Sequence, residues 1–131
     1  MEFSDRQIEL AKQLKDLGLA WTPAVGHYVY DVSGRAEGSS PFQDHVFFIL
    51  NYDRFVDRLG GIEKLKKSMV WMPLWHDTRE ILRSLGVEDD EVELELVRKS
   101  AIARGTELLA LYEMIAQQLS DAKLQAIYQG S

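Results

Sequence analysis

The hydrophobic residues near the N-terminus recur at helical spacing and form one stripe, made of Ile8, Ala11, Leu14 and Leu17. Ser4 and Gln7 precede this stripe at the spacing of a capping box, the reciprocal hydrogen-bond motif of helix N-termini. Gly18 follows the last apolar position and is typical of a helix C-terminus. The pattern therefore predicts a helix over residues 5–17.

Three later segments have the composition of β-strands. Residues 26–32 are rich in β-branched and aromatic side chains, 45–51 contain a run of consecutive apolar positions, and 69–72 are a short apolar run before Pro73. The first two most simply form an antiparallel pair across the polar loop 33–41, and 69–72 is the candidate for a third strand. Because 45–51 is apolar on both faces, we expect it to be the central strand.

Helical spacing returns on both sides of the candidate third strand. Between residues 55 and 69 it continues through Gly60 and Gly61, although glycine is unfavourable inside a helix. This pair therefore marks either a kink or a break between two short helices. A further helix is predicted over 74–85, ending at Gly86.

The sequence at the start of the C-terminal region is compatible with either a strand or a helix. Residues 88–96 alternate between acidic and apolar positions, as a half-buried strand does. Asp90 and Glu93, however, have the spacing of a capping box, and helical intervals continue afterwards. We favour a helix from about residue 90 onward, bent or split at Gly105.

The last predicted element is a final helical turn or two over 121–128, for which Leu124 and Ile127 are the expected anchors. No internal repeat or interdomain linker interrupts the chain. Together these elements predict a single α+β domain over residues 1–131, in which a small antiparallel sheet of two or three strands packs with four or five helices.

The composition narrows the classes of function. The chain has 131 residues, 46% of them hydrophobic, and no cysteine, which excludes disulfide scaffolds, thiolate zinc sites and cysteine nucleophiles. Its net charge of −6 argues against a nucleic-acid partner, although the acids clustered in 88–95 are explained by the dipole of one helix. No apolar run approaches the roughly 20 residues that span a bilayer, and no secretory signal is recognisable at the N-terminus. We therefore expect a cytoplasmic protein without a membrane partner.

The first candidate site lies on the strand over 26–32. In an extended strand, His27 and Asp31 project from the same face, about 13 Å apart, with Val29 between them. At that distance the two side chains cannot bond directly, but they can bracket a ligand. The alternative interpretation is a polar, solvent-facing side of an edge strand.

A second candidate group lies where the predicted third strand leads into the next helix. Trp71 and Trp75 are suited to the walls of an apolar pocket, with His76 and Asp77 as polar groups beside them. The alternatives are that these aromatic residues belong to the core, or that Trp75 lies on a partner surface. The full set of candidate ligand-binding residues is His27, Asp31, Trp71, Trp75, His76 and Asp77.

The histidines His27, His45 and His76 have no local spacing typical of metal ligands, and no Ser-His-Asp signature is recognisable. We therefore expect no metal, no cofactor and no catalytic residue, and lean against an enzyme without excluding one.

The favoured hypothesis is a non-catalytic interaction module that associates with itself. The C-terminal helical region carries a seam of Leu108, Tyr112 and Ile115, and further apolar residues, Leu109, Leu111 and Met114, widen it. A helix that is apolar over a wide arc needs cover on more than one side, and in a small domain a homodimer supplies it. The alternative is a small-molecule-binding protein or enzyme with its site between strand 27–31 and the Trp71–Asp77 segment.

Overall fold

The computed structural model describes residues 3–33 and 43–129, so most of the predicted loop 33–41 lies outside the described residues. The described part contains seven helices and a three-stranded sheet, an α+β fold as predicted. The elements are α1 (Asp5–Asp16), β1 (Tyr28–Asp31), β2 (Val46–Phe48), α2 (Tyr52–Arg58), α3 (Ile62–Ser68), β3 (Met69–Met72), α4 (Trp75–Ser84), α5 (Asp89–Arg98), α6 (Ala101–Arg104) and α7 (Glu107–Gln129). Among these helices, none combines the length and apolar character that crossing a membrane requires.

Helix α1 begins as its local sequence predicts. The Ser4 hydroxyl accepts a hydrogen bond from the Gln7 backbone N–H at 3.1 Å, and the Gln7 side-chain oxygen accepts one from the Ser4 N–H at 3.4 Å. Both halves of the capping box are therefore formed, and the predicted helix over 5–17 is confirmed to within one residue.

Replacing Ser4 with alanine removes this cap and is expected to lower the free energy of unfolding by about 1 kcal/mol. The measurement is chemical denaturation of the full chain, with Ser4→Asp as the control. Aspartate is an equally good N-cap, so this control should stay within about 0.5 kcal/mol of the wild type. Equal losses in both variants would contradict the proposed role of the hydroxyl.

The sheet has the order β2-β1-β3, with both neighbouring pairs antiparallel. The predicted pairing of the first two strands and the candidate third strand are confirmed. The prediction that 45–51 forms the central strand is wrong, because β1 lies in the middle and β2 at an edge. Segment 45–51 is apolar on both sides because helices cover both faces of the sheet, with Val46 and Phe47 packing into different hydrophobic clusters.

Two clusters of buried side chains occupy the two faces of the sheet. The larger includes Val46, Val70 and Met72 together with residues of α1, α4, α5, α6 and α7. The smaller cluster lies on the side of α2 and α3; its buried members are Val29, Ile49, Leu59, Leu65 and Met69. The sheet is therefore a middle layer between unequal helical layers.

Helix breaks explain why the described helices exceed the predicted four or five. Gly60 and Gly61 have φ values of +85° and +112°, so this pair separates α2 from α3 rather than kinking one helix. The region from residue 90 is helical, as favoured, and it splits at Gly105 and also at Ser100, which adopts a left-handed φ of +52°. The break at Ser100 was not predicted.

Candidate functional site

Three rings from separate parts of the chain form an aromatic cluster, consisting of Trp21, His27 and Trp71. The Trp71 ring stacks on the His27 ring at 4.9 Å between centroids and on the Trp21 ring at 6.3 Å. The indole N–H of Trp21 donates a hydrogen bond to Nδ1 of His27 at 3.0 Å. Because Nδ1 accepts this bond, a neutral His27 carries its proton on Nε2.

The strand register brings His27 and Trp71 together. Val29 stands directly opposite Trp71 in the β1–β3 pair, so their side chains share one face of the sheet. His27 lies two residues before Val29 and projects from that same face. The backbone hydrogen bond from the Ile49 N–H to the His27 carbonyl, at 2.9 Å, extends the ladder beyond β1 and holds His27 in an extended conformation.

Asp31 lies farther along the same face of β1, but its carboxylate is used locally. Its Oδ1 accepts hydrogen bonds from the Ser33 backbone N–H at 3.0 Å and from the Ser33 hydroxyl at 2.8 Å. Asp31 is only 3% exposed. The interpretation of this face as the solvent side of an edge strand is therefore wrong, since β1 is central and this face is covered.

The other three candidate residues belong to the N-terminal turn of α4. The Asp77 carboxylate accepts the Leu74 backbone N–H at 3.0 Å, and the His76 ring lies 3.3 Å from the Glu80 carboxylate. Trp75 is 42% exposed, and the Arg79 guanidinium lies 5.4 Å from its ring centroid. Trp75, His76 and Asp77 therefore make these contacts with residues of α4 or with its N-cap, Leu74. His27 and Trp71, in contrast, come from separate parts of the chain and contact each other.

Over residues 3–33 and 43–129, no three or more His, Asp or Glu side chains lie close enough together to hold a metal ion. Each of the three histidines has a different neighbour. His27 contacts Trp21, the His45 ring lies 5.9 Å from that of Tyr30, and His76 faces Glu80.

The residues that widen the C-terminal seam pack largely within the chain, although Leu109 and Met114 are only half-buried. Leu111 is fully buried, and Leu109 and Met114 pack against the larger cluster, where α7 meets α1 and α4. The exposed apolar residues lie farther on, since Leu124 is 53% and Ile127 is 69% exposed. The final turns of α7 are helical as predicted, but Leu124 and Ile127, their expected anchors, are exposed and do not anchor these turns within the chain.

A groove of about 560 Å³ lies between α5 and α7. Leu94, which is 75% exposed, and Met114 contribute apolar surface to it, and Gln117 lies on the α7 side. The groove also contains Glu95, whose carboxyl accepts a hydrogen bond from Arg98 that lowers its pKa. It therefore combines an apolar strip with a charged margin.

Sequence reasoning did not identify Leu94 as a groove residue or Trp21 as the partner of His27. Leu94 interrupts the acidic run 88–95, and its exposure follows from the helical structure of α5. The available signal was helical phase: Val92 and Leu96 share one face, and Leu94 falls on the other. For Trp21, no local signal identifies His27 as its hydrogen-bond partner.

No protein-family model matches this chain, and comparisons with curated proteins and with solved structures found no significant match.

Proposed function

We propose that this chain is a cytoplasmic, non-catalytic interaction module that forms a homodimer through its C-terminal helical region. The observation that carries the proposal is the exposed apolar end of α7. All residues from 121 to 127 are exposed, and Leu124 and Ile127 lie one turn apart among them. Such a helix end, with little packing of its own, gains stability when a partner covers its apolar side.

The groove between α5 and α7 is the complementary surface. Leu124 follows Gln117 by two helical turns, which returns it to the side of α7 that borders the groove. When two copies align their α7 helices antiparallel about a two-fold axis, the end of each helix enters the groove of the other. The two-fold axis makes this exchange reciprocal, so it closes at two copies.

The area that a stable dimer interface buries supports a contact that includes both the α7 tail and the α5–α7 groove. A specific dimer typically buries about 800 Å² on each partner, which is more than two side chains provide. The proposed interface therefore includes Leu94 and Met114 in the groove as well as Leu124 and Ile127 on the tail. Cysteine is absent from the sequence, so the contact does not depend on disulfides.

Light scattering coupled to size exclusion tests the dimer at about 10 µM protein, a concentration at which an interface with a micromolar Kd is substantially occupied. We expect twice the chain mass of 15.0 kDa. Ile127→Asp should give a monomer because it buries a charge in the interface, while its exposed position leaves the fold intact. Leu50→Asp, at a position that is 77% exposed and outside this region, is the matched control and should remain a dimer.

Cysteine pairing tests the arrangement, since the wild-type chain contains no thiol. Equal amounts of Leu94→Cys and Leu124→Cys chains are mixed and oxidised, and a disulfide-linked heterodimer is expected. A mixture of Leu50→Cys with Leu124→Cys should not link beyond a random background. A wild-type monomer, or a dimer unaffected by Ile127→Asp, would contradict the proposed function.

A further inference from the structure

A small cavity of about 140 Å³ lies beside the aromatic cluster, between α1, α3 and β3. Its apolar walls include Ala11, Leu19 and Met69, and the indoles of Trp21 and Trp71 supply flat surfaces. An engineered protein cavity of about 150 Å³ holds one benzene molecule, so this volume suits a single ring.

The charged groups around the cavity are both cationic. Among its lining residues the ionisable ones are Lys15 on α1 and Lys66 on α3. The Lys15 ammonium donates to the backbone carbonyls of Lys67 at 3.1 Å and Met69 at 3.0 Å. An ammonium has three donors, so these bonds hold Lys15 at the cavity and leave one donor for a ligand.

The charge and the lining of the cavity together favour an anion with an apolar body. Partial burial lowers the pKa of Lys15, so a carboxylate beside it would offset the cost of desolvating the ammonium. The apolar walls and the two indoles would cover the uncharged part of such a ligand.

From this combination we infer that the cavity binds a small monocarboxylate that carries one ring, of the size of benzoate. The ring lies against the indoles of Trp21 and Trp71, and the carboxylate is held by Lys15 and Lys66. This site is separate from the α5–α7 groove, so it is independent of the proposed homodimer.

Calorimetric titration of the full chain with sodium benzoate tests this inference. A ligand of this size should bind with a Kd of about 1 mM. Benzyl alcohol has the ring without the charge, benzylamine reverses the charge, and acetate lacks the ring. Each of these three should bind at least about tenfold more weakly than benzoate, because each loses one of the two recognised features.

Variants of the lysines locate the site. Lys66→Met and Lys15→Met keep the aliphatic chain and remove the charge, and each should raise the Kd for benzoate at least about fivefold. Lys67→Met is the matched control, because its side chain does not line the cavity, and its Kd should not change. Lys66→Met keeps the test valid if loss of the Lys15 hydrogen bonds impairs folding.

Three results would overturn the inference: no benzoate binding at 20 mM (about twenty times the expected Kd), benzyl alcohol or benzylamine binding as tightly as benzoate, or an unchanged benzoate Kd in Lys66→Met. None of these results bears on the oligomeric state, so the homodimer is tested separately by light scattering and cysteine pairing.

Discussion

Replacing Leu111 with alanine is expected to lower the free energy of unfolding by about 2–5 kcal/mol. Leu111 is fully buried in the larger cluster, where α7 packs on α1 and α4. Truncation removes apolar contacts and leaves a cavity that the surrounding helices fill only in part. The measurement is urea denaturation followed by circular dichroism, with the free energy extrapolated to water.

The controls separate burial within the chain from burial in a dimer. Leu50→Ala makes the same chemical change at a position that is 77% exposed, and should change stability by no more than about 0.5 kcal/mol. The loss in Leu111→Ala should be the same at low and high protein concentration, because its contacts lie within one chain. A loss seen only at high concentration would place Leu111 in an interface between copies.

The elements that the sequence predicts well are those with strong local signals. The capping box of Ser4 and Gln7 needs only neighbouring residues, and α1 begins where this motif predicts. The acidic start of α5 is helical as favoured, with Asp89, Asp90 and Glu91 in the first turn, beside the positive end of the helix dipole. The capping box expected from Asp90 and Glu93 does not start this helix, because its N-cap is Glu88, which makes no side-chain cap hydrogen bond. The break at Ser100 has no such signal, because serine rarely adopts a left-handed φ.

The position of a strand within a sheet was harder to predict for a physical reason. An apolar run reports that both faces of a strand are covered, as they are for β2 through Val46 and Phe47. It does not report whether the strand has hydrogen-bonded neighbours on both edges. Composition placed β2 in the centre, whereas the register of β1 with both partners places β1 there.

The candidate site shows the same limit. His27 and Trp71 are distant in sequence, and their stacking depends on the β1–β3 register, which no local pattern encodes. Asp77 is close to Trp71 in sequence but caps the Leu74 N–H at the start of α4. Its place after Pro73, in the first helical turn, is the local signal that favours a capping role.

The second large effect is expected from Tyr112→Phe, which should lower the free energy of unfolding by about 1–3 kcal/mol. The Tyr112 hydroxyl donates a buried hydrogen bond to the Pro73 carbonyl at 2.6 Å and links α7 to the turn between β3 and α4. Phenylalanine preserves the ring packing but leaves this carbonyl without its donor. Tyr30→Phe is the control; Tyr30 is half-buried, and this change should cost less than about 0.5 kcal/mol.

The pH dependence of the stability tests whether the Tyr112 hydroxyl is buried in the folded chain. Burial raises the pKa of Tyr112 above its ordinary value of 10.0, so the unfolded chain ionises this residue first. The stability that Tyr112 contributes is therefore complete below about pH 10 and is lost as the pH rises further, by about 1.4 kcal/mol per pH unit. Tyr112→Phe lacks this term, so the difference in stability between wild type and variant should shrink from pH 9 to pH 11. A constant difference over that range would show that the hydroxyl ionises equally in the folded and unfolded chains, and would contradict its burial against Pro73.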